Sequence, residues 1–227
     1  MLESPAISKL EFPFPLKEDQ IEAVNAWIDN DYRGTVLYST GTGKTEIALE
    51  CAKRFAFVFA SSSSYSSATS LSFLNVLLIV PRIILIEQNI KRLVSYGISK
   101  EKIGAYFGER KEIREITICT YQSIIRNLNL IRRSNMVIFD EVHLIRDTAK
   151  IFKKIFDVVL EDHKKAILGL TATLDEKDLY KYQQTNVIIF IKVSAIYFEY
   201  LQPVVIIYLT EDKAILNIKM KTFPAEK

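Results

Sequence analysis

The chain has 227 residues, 49% hydrophobic and 25% charged, the balance of an ordinary globular protein with room for one large α/β domain, or one domain and part of another. Its net charge of +3 is compatible with nucleic acid but, without a localised patch, names no polyanionic partner. Two cysteines and two histidines lie far apart with no zinc or disulfide spacing, and no signal peptide or continuous apolar run of about 20 residues is visible, so the expectation is a cytoplasmic protein without a membrane partner.

Residues 1–15, with Pro5, Pro13 and Pro15, read as an irregular lead-in. Leu16-Lys17-Glu18-Asp19-Gln20 then opens a helix that carries Ile21, Val24, Trp27 and Ile28 on one face. The run Thr35-Val36-Leu37-Tyr38 is a short buried strand, and Glu46 to Phe55 has apolar residues at helical spacing. Between them lies Tyr38-Ser39-Thr40-Gly41-Thr42-Gly43-Lys44-Thr45. A strand, a glycine-bearing loop and a helix in that order form a phosphate cradle, in which successive N–H groups and the helix N-terminus face phosphate oxygens. Thr40 to Thr45 are the candidate ATP-binding residues. Lys44 would reach the β- and γ-phosphates, and the Thr45 hydroxyl would ligate Mg²⁺. Tyr38 stands where the general G-x-x-x-x-G-K-[ST] pattern has its first glycine, and a chance match in a surface loop is the competing reading.

The serine-rich stretch 55–75 has no period and reads as an inserted loop. Val76 to Val80 is a continuous apolar run suited to a strand covered on both faces; it stops at Pro81, and a helix follows with Leu85, Gln88 and Ile90. Ile116–Thr120, Met136–Phe139 and Ala166–Leu170 are further apolar strands, separated by helical segments over Ser123–Ile131 and Thr148–Glu161. Strand alternating with helix implies parallel strands joined by right-handed crossovers, an α/β doubly wound sheet with ligands at the carboxyl ends of its strands. Asp140-Glu141-Val142-His143 follows one such strand, about 95 residues beyond the phosphate loop. There Asp140 would hold Mg²⁺ through water and Glu141 would orient the attacking water. Past Thr173, the runs Val187–Val193 and Val204–Leu209 are strand-like, and Thr210–Lys227 begins helix-like and fades into a polar end.

Five motifs now stand in order: Tyr38 to Thr45, Val80-Pro81-Arg82 with Leu85 and Gln88, Thr120-Tyr121-Gln122-Ser123, Asp140 to His143, and Leu170-Thr171-Ala172-Thr173. Together they resemble the first RecA-like domain of a superfamily 2 helicase of DExH type. Gly108 to Glu112, Ile116 to Ser123 and Leu168 to Thr173 are most similar to the archaeal XPB-like group, which works in DNA repair. The resemblance implies a RecA-like P-loop NTPase domain over 16–185, with 186–227 a connector toward an absent second domain. It implies ATP and Mg²⁺ as cofactors and single-stranded or forked DNA as partner. By the same resemblance Gln20 would hydrogen-bond adenine, a solvated helix residue being the alternative. Arg82, Thr120 and Gln122 would contact the sugar–phosphate backbone, with a surface ion pair the rival for Arg82. Thr171, Thr173 and His143 would couple nucleotide state to movement, ordinary loop or structural hydrogen bonding being their alternative.

Two departures bear on activity. The family completes its ATP cleft with an arginine finger from a second RecA-like domain, and no arginine follows Thr210; an Arg-Glu-Asp triplet of the XPB-like group aligns with Glu176-Lys177-Asp178. The expectation is weak binding of nucleotide and nucleic acid, with slow hydrolysis or none unless a second domain or partner acts in trans. A non-catalytic remnant or partner-binding module, and a motor fragment of a restriction-type enzyme, are the alternatives.

Overall fold

Short apolar runs bounded by turn residues form an eight-stranded sheet in the computed structural model, which describes residues 4–38, 41–61, 74–142, 149–172, 189–191, 204–210 and 213–221. The strands are β1 (Arg33–Leu37), β2 (Val76–Val80), β3 (Ile103–Phe107), β4 (Arg110–Lys111), β5 (Ile116–Thr120), β6 (Met136–Phe139), β7 (Ala166–Thr171) and β8 (Ile189–Ile191). They lie in the order β4-β3-β5-β2-β6-β7-β1-β8, and every pair is parallel except the β3–β4 hairpin. The helices are α1 (Glu18–Asp29), α2 (Lys44–Ser61), α3 (Ile83–Ser95), α4 (Tyr121–Ile124), α5 (Asn129–Arg133) and α6 (Ala149–Leu160).

Because side chains alternate across a strand, each central strand feeds two cores. Val76, Leu78 and Val80 of β2 join Trp27 of α1, Phe55 of α2 and Ile86 of α3 on one face. Leu77 and Ile79 join Ile124 of α4, Ile131 of α5 and Ile155 of α6 on the other. Full burial of each such aliphatic side chain contributes ~1.5–3 kcal/mol. The sheet is doubly wound, as the alternation of elements implies, and its parallel strands all end at one edge. No helix among the described residues is long and apolar enough to cross a membrane.

Four elements differ from the sequence expectation. Helix α2 continues past Phe55 to Ser61 because Phe55 and Phe59, one turn apart, both stay buried on its core face; residues 62–73 of the serine-rich stretch lie outside the described residues. The lead-in contains a 3-10 turn, Ala6–Lys9, that inserts Ile7 and Leu10 into the core. A single helix over 123–131 is replaced by α4 and α5. Last, 213–221 is not helical: Lys213–Lys221 forms strand β10 in an antiparallel hairpin with β9 (Val204–Thr210). Its alternation of Asn217, Lys219 and Lys221 with Ile218 and Met220 has period two, the strand signature. Strand β8, within the stretch expected to be connector, pairs with β1 in the main sheet.

Candidate nucleotide-binding site

The site begins where β1 ends. Tyr38 N–H donates to the Thr171 carbonyl at 2.9 Å, so the loop leaves the sheet tied to the end of β7. The Tyr38 side chain is fully buried, and its hydroxyl bonds the Asp19 carboxylate of α1. A residue larger than glycine is therefore accommodated here because its ring packs back toward α1. Gly41 and Gly43 take φ values of +75° and +101°, which only glycine adopts without strain. A Cβ on Gly43 would sit 2.2 Å from Gln20 Nε2, so a side chain there would displace the glutamine that braces the loop.

Gln20 is buried rather than solvated, and it stands at the wall of the cleft. Its Nε2 donates to the Thr42 carbonyl at 3.1 Å and the Gly43 carbonyl at 3.4 Å, while its Oε1 accepts the Lys17 N–H at 2.9 Å. These bonds hold the loop's backbone against the first turn of α1. Lys44 Nζ donates to the Tyr38 carbonyl at 3.2 Å and lies 3.5 Å from Glu141 Oε1, which brings the phosphate-loop lysine and the strand-end carboxylate together.

Asp140 and Glu141 follow β6. Asp140 N–H donates to the Ile79 carbonyl at 2.9 Å, and Tyr121 Oη donates to the Asp140 carbonyl at 2.8 Å, tying this turn to β2 and α4. Glu141 has φ +52°, a left-handed conformation that costs a non-glycine residue ~1–2 kcal/mol. Burial, then the adjacent Glu141 charge, pushes the Asp140 carboxyl up to about 6.

These residues face one cleft of about 510 Å³, lined by Gln20, Gly41 to Thr45, Asp140 and Glu141. Its other wall was not foreseen from sequence: Phe14, Pro15 and Lys17 from the lead-in, Glu46 from α2, and Arg92 and Tyr96 from the end of α3. Tyr96 Oη donates to Glu46 Oε1 at 3.0 Å, and its ring packs edge-on against Phe12 and Phe14 with centroids 5.2 and 6.1 Å away. Tyr121 belongs to the Thr120–Ser123 motif, but nothing in the sequence marked Arg92 or Tyr96, because their approach depends on how α3 packs on the core.

The nucleic-acid candidates divide. Arg82 and Gln122 are exposed, each two residues beyond the paired strand ends Val80 and Thr120. Thr120 is 5% exposed, and its hydroxyl caps α4, accepting Ser123 N–H at 3.3 Å and donating to Ser123 Oγ at 2.9 Å. Thr171 is buried at the end of β7, its carbonyl holding the phosphate loop as above. Thr40, His143 and Thr173 lie outside the described residues.

The cradle fits a nucleotide polyphosphate. Two glycines in left-handed geometry, a lysine and a hydroxyl at the start of an 18-residue helix, and a carboxylate pair across the cleft supply the donor set. Fold and site together define a P-loop nucleotide-binding domain of RecA-like, superfamily 2 helicase architecture.

The family described as Type III restriction enzyme, res subunit, matches residues 13–176, and the chain belongs to that family of helicase motor domains. Over 163 residues it is 33% identical to the "DNA 3'-5' helicase XPB" of Mycobacterium tuberculosis, covering 67% of this chain and 28% of that protein. Over 175 residues it is 31% identical to the "DNA 3'-5' translocase XPB2" of Sulfurisphaera tokodaii, covering 73% of this chain and 34% of the relative. The chain thus spans about a third of the length of the curated relatives it matches. Among solved structures it is similar to the helicase domain of Pyrococcus furiosus Hef, with TM-score 0.57 and 20% identity over 82% of this chain and 44% of that one, a likeness of fold.

Proposed function

We propose that this chain is the ATP-binding domain of an ATP-dependent DNA helicase or translocase of the XPB-like kind, acting in the cytoplasm and in DNA repair. The observation that carries the reading is the convergence of Lys44, Thr45, Asp140 and Glu141 on one cleft at the carboxyl edge of the sheet, with Arg82 and Gln122 exposed beyond neighbouring strand ends. ATP would lie with its phosphates in the Gly41–Thr45 cradle. Phe14 and Lys17 would flank the base, and Gln20 would hold the loop in shape from behind. Thr45 and Asp140 are the residues that would hold Mg²⁺, which when bound neutralises charge on the phosphates.

Lys44 leaves the Tyr38 carbonyl and Glu141 to reach the terminal phosphates, and that movement frees the Glu141 carboxylate to orient water for in-line attack. Arg82 and Gln122 contact the DNA backbone without reading sequence. A second RecA-like domain, in cis or in trans, would close the cleft from the other side. The matched family's description favours one other reading, the motor of a restriction-type enzyme.

ATP turnover with and without single-stranded and forked DNA tests the proposal, against Lys44→Ala and Glu141→Gln. DNA-stimulated hydrolysis abolished by both substitutions is expected once the second domain is supplied. Nucleotide binding insensitive to Lys44→Ala would overturn it. Stimulation by blunt duplex alone would favour the restriction-type motor.

A further inference from the structure

The cleft that would receive a polyanion is itself lined by three carboxylates, Glu46, Asp140 and Glu141, and three cations, Lys17, Lys44 and Arg92. Glu46 sets its charge against the glycine turn of the phosphate loop: it is 8% exposed, and its Oε2 lies 3.3 Å from where a Gly43 Cβ would stand. A negative charge so close to the cradle opposes phosphate binding unless a cation is shared between the two. Lys44 is engaged with the Tyr38 carbonyl and Glu141.

Arg92 is placed to be that cation. The helix beneath it is locked, since Ile86 and Leu93 are buried and Tyr96 is bonded to Glu46. Its side chain, 40% exposed, lies nearest Glu46 Oε1 through Nε, at 3.5 Å, and neither Nη makes a hydrogen bond among the described residues. Its charge is also felt at Asp140 across the cleft. A guanidinium is a planar fork, able to keep one edge on a carboxylate while the other grips a phosphate oxygen. We infer that Arg92 is a phosphate ligand supplied in cis by α3, its Nε edge on Glu46 and its Nη edge on the polyphosphate of the bound nucleotide. This rests on the nucleotide-binding reading above.

Equilibrium binding of the chain to Mg-ATP, Mg-ADP and AMP tests it, with Arg92→Ala, Arg92→Lys, Glu46→Gln, the Arg92→Ala/Glu46→Gln pair, and Lys44→Ala as reference. Loss of one charge-assisted bond predicts about tenfold or more weaker ATP binding by Arg92→Ala, with a much smaller loss for AMP. Arg92→Lys should recover part of the loss, and apo melting should stay unchanged. The double variant should remain weak for ATP, because removing the Glu46 charge does not replace a ligand. Wild-type-like ATP binding by Arg92→Ala, an equal loss for ATP and AMP, or full rescue by Glu46→Gln would each overturn the inference while leaving nucleotide binding in place. Wild-type protein that shows no ATP binding removable by Lys44→Ala would overturn the nucleotide reading itself.

Discussion

The two ends of the parallel sheet are built differently. At the amino ends of the strands, polar groups are closed on one another. Trp27 Nε1 donates to the Ile167 carbonyl at 2.9 Å, Asn75 N–H to Asn135 Oδ1 at 2.8 Å, Ala166 N–H to the Asn135 carbonyl at 2.9 Å, and the buried Lys165 ammonium to the Ser134 carbonyl. At the carboxyl ends charges are held apart or in long contacts: Lys44 to Glu141 and Arg92 to Glu46 are both 3.5 Å, and Glu141 takes a strained backbone. A fully satisfied end gives stability and leaves nothing for a ligand. The incompletely satisfied end holds charges that a polyphosphate can recruit, at a cost of stability.

The contrast can be broken first at the satisfied end. Trp27→Ala removes a side chain with no exposed surface together with its bond to Ile167, and should cost ~3–5 kcal/mol in urea unfolding. Nucleotide affinity of the folded fraction should be retained if the two ends are separable. At the other end, Gly43→Ala combines a left-handed residue with a collision against Gln20; it should lose ~1–2 kcal/mol of stability and, unlike Trp27→Ala, most nucleotide binding in titration.

Glu141→Gly should act in the opposite sense. It relieves the left-handed strain and one of two adjacent half-buried carboxylates, so melting should show a gain of ~0.5–1 kcal/mol after the entropy lost to glycine, with turnover abolished. The smallest effect is a slope with pH. Burial holds the Lys165 ammonium below the usual lysine value, so the unfolded chain binds more protons in the alkaline range. Wild-type stability should therefore rise, relative to Lys165→Met, as pH climbs toward 10.5, the ordinary lysine value. Parallel curves for the two proteins would mean that the lysine is not held neutral-leaning by its site.

Much of this end-to-end design was legible in the chain. The central strands are uninterrupted apolar runs because both faces are covered, and the phosphate loop and Asp140-Glu141 carry their chemistry in adjacent residues. What depended on packing between distant segments was not legible. No local pattern places the Gln20 amide against the carbonyls of Thr42 and Gly43. Nor does the sequence mark the Thr120 hydroxyl as the cap of α4. Helix α2 outlasts its expected end because two phenylalanines one turn apart outweigh the serines that follow. Arg92 lines the cleft through the packing of α3 against the sheet, which no local pattern encodes.

Strand β1, from which the phosphate loop departs, pairs among the described residues only with β7 and β8, and its β7 partners run from Ile167, opposite Arg33, to Thr171, opposite Leu37, far along the chain. On a ribosome, β2, β5, β6 and β3 can all assemble while β1 still waits for its neighbours. At typical elongation rates that wait is on the order of ten seconds. During it, an apolar strand has two open edges, a condition that invites chaperones and misassociation. The cradle is thus among the last parts to take shape, and a nascent chain becomes able to grip nucleotide only as its sheet closes.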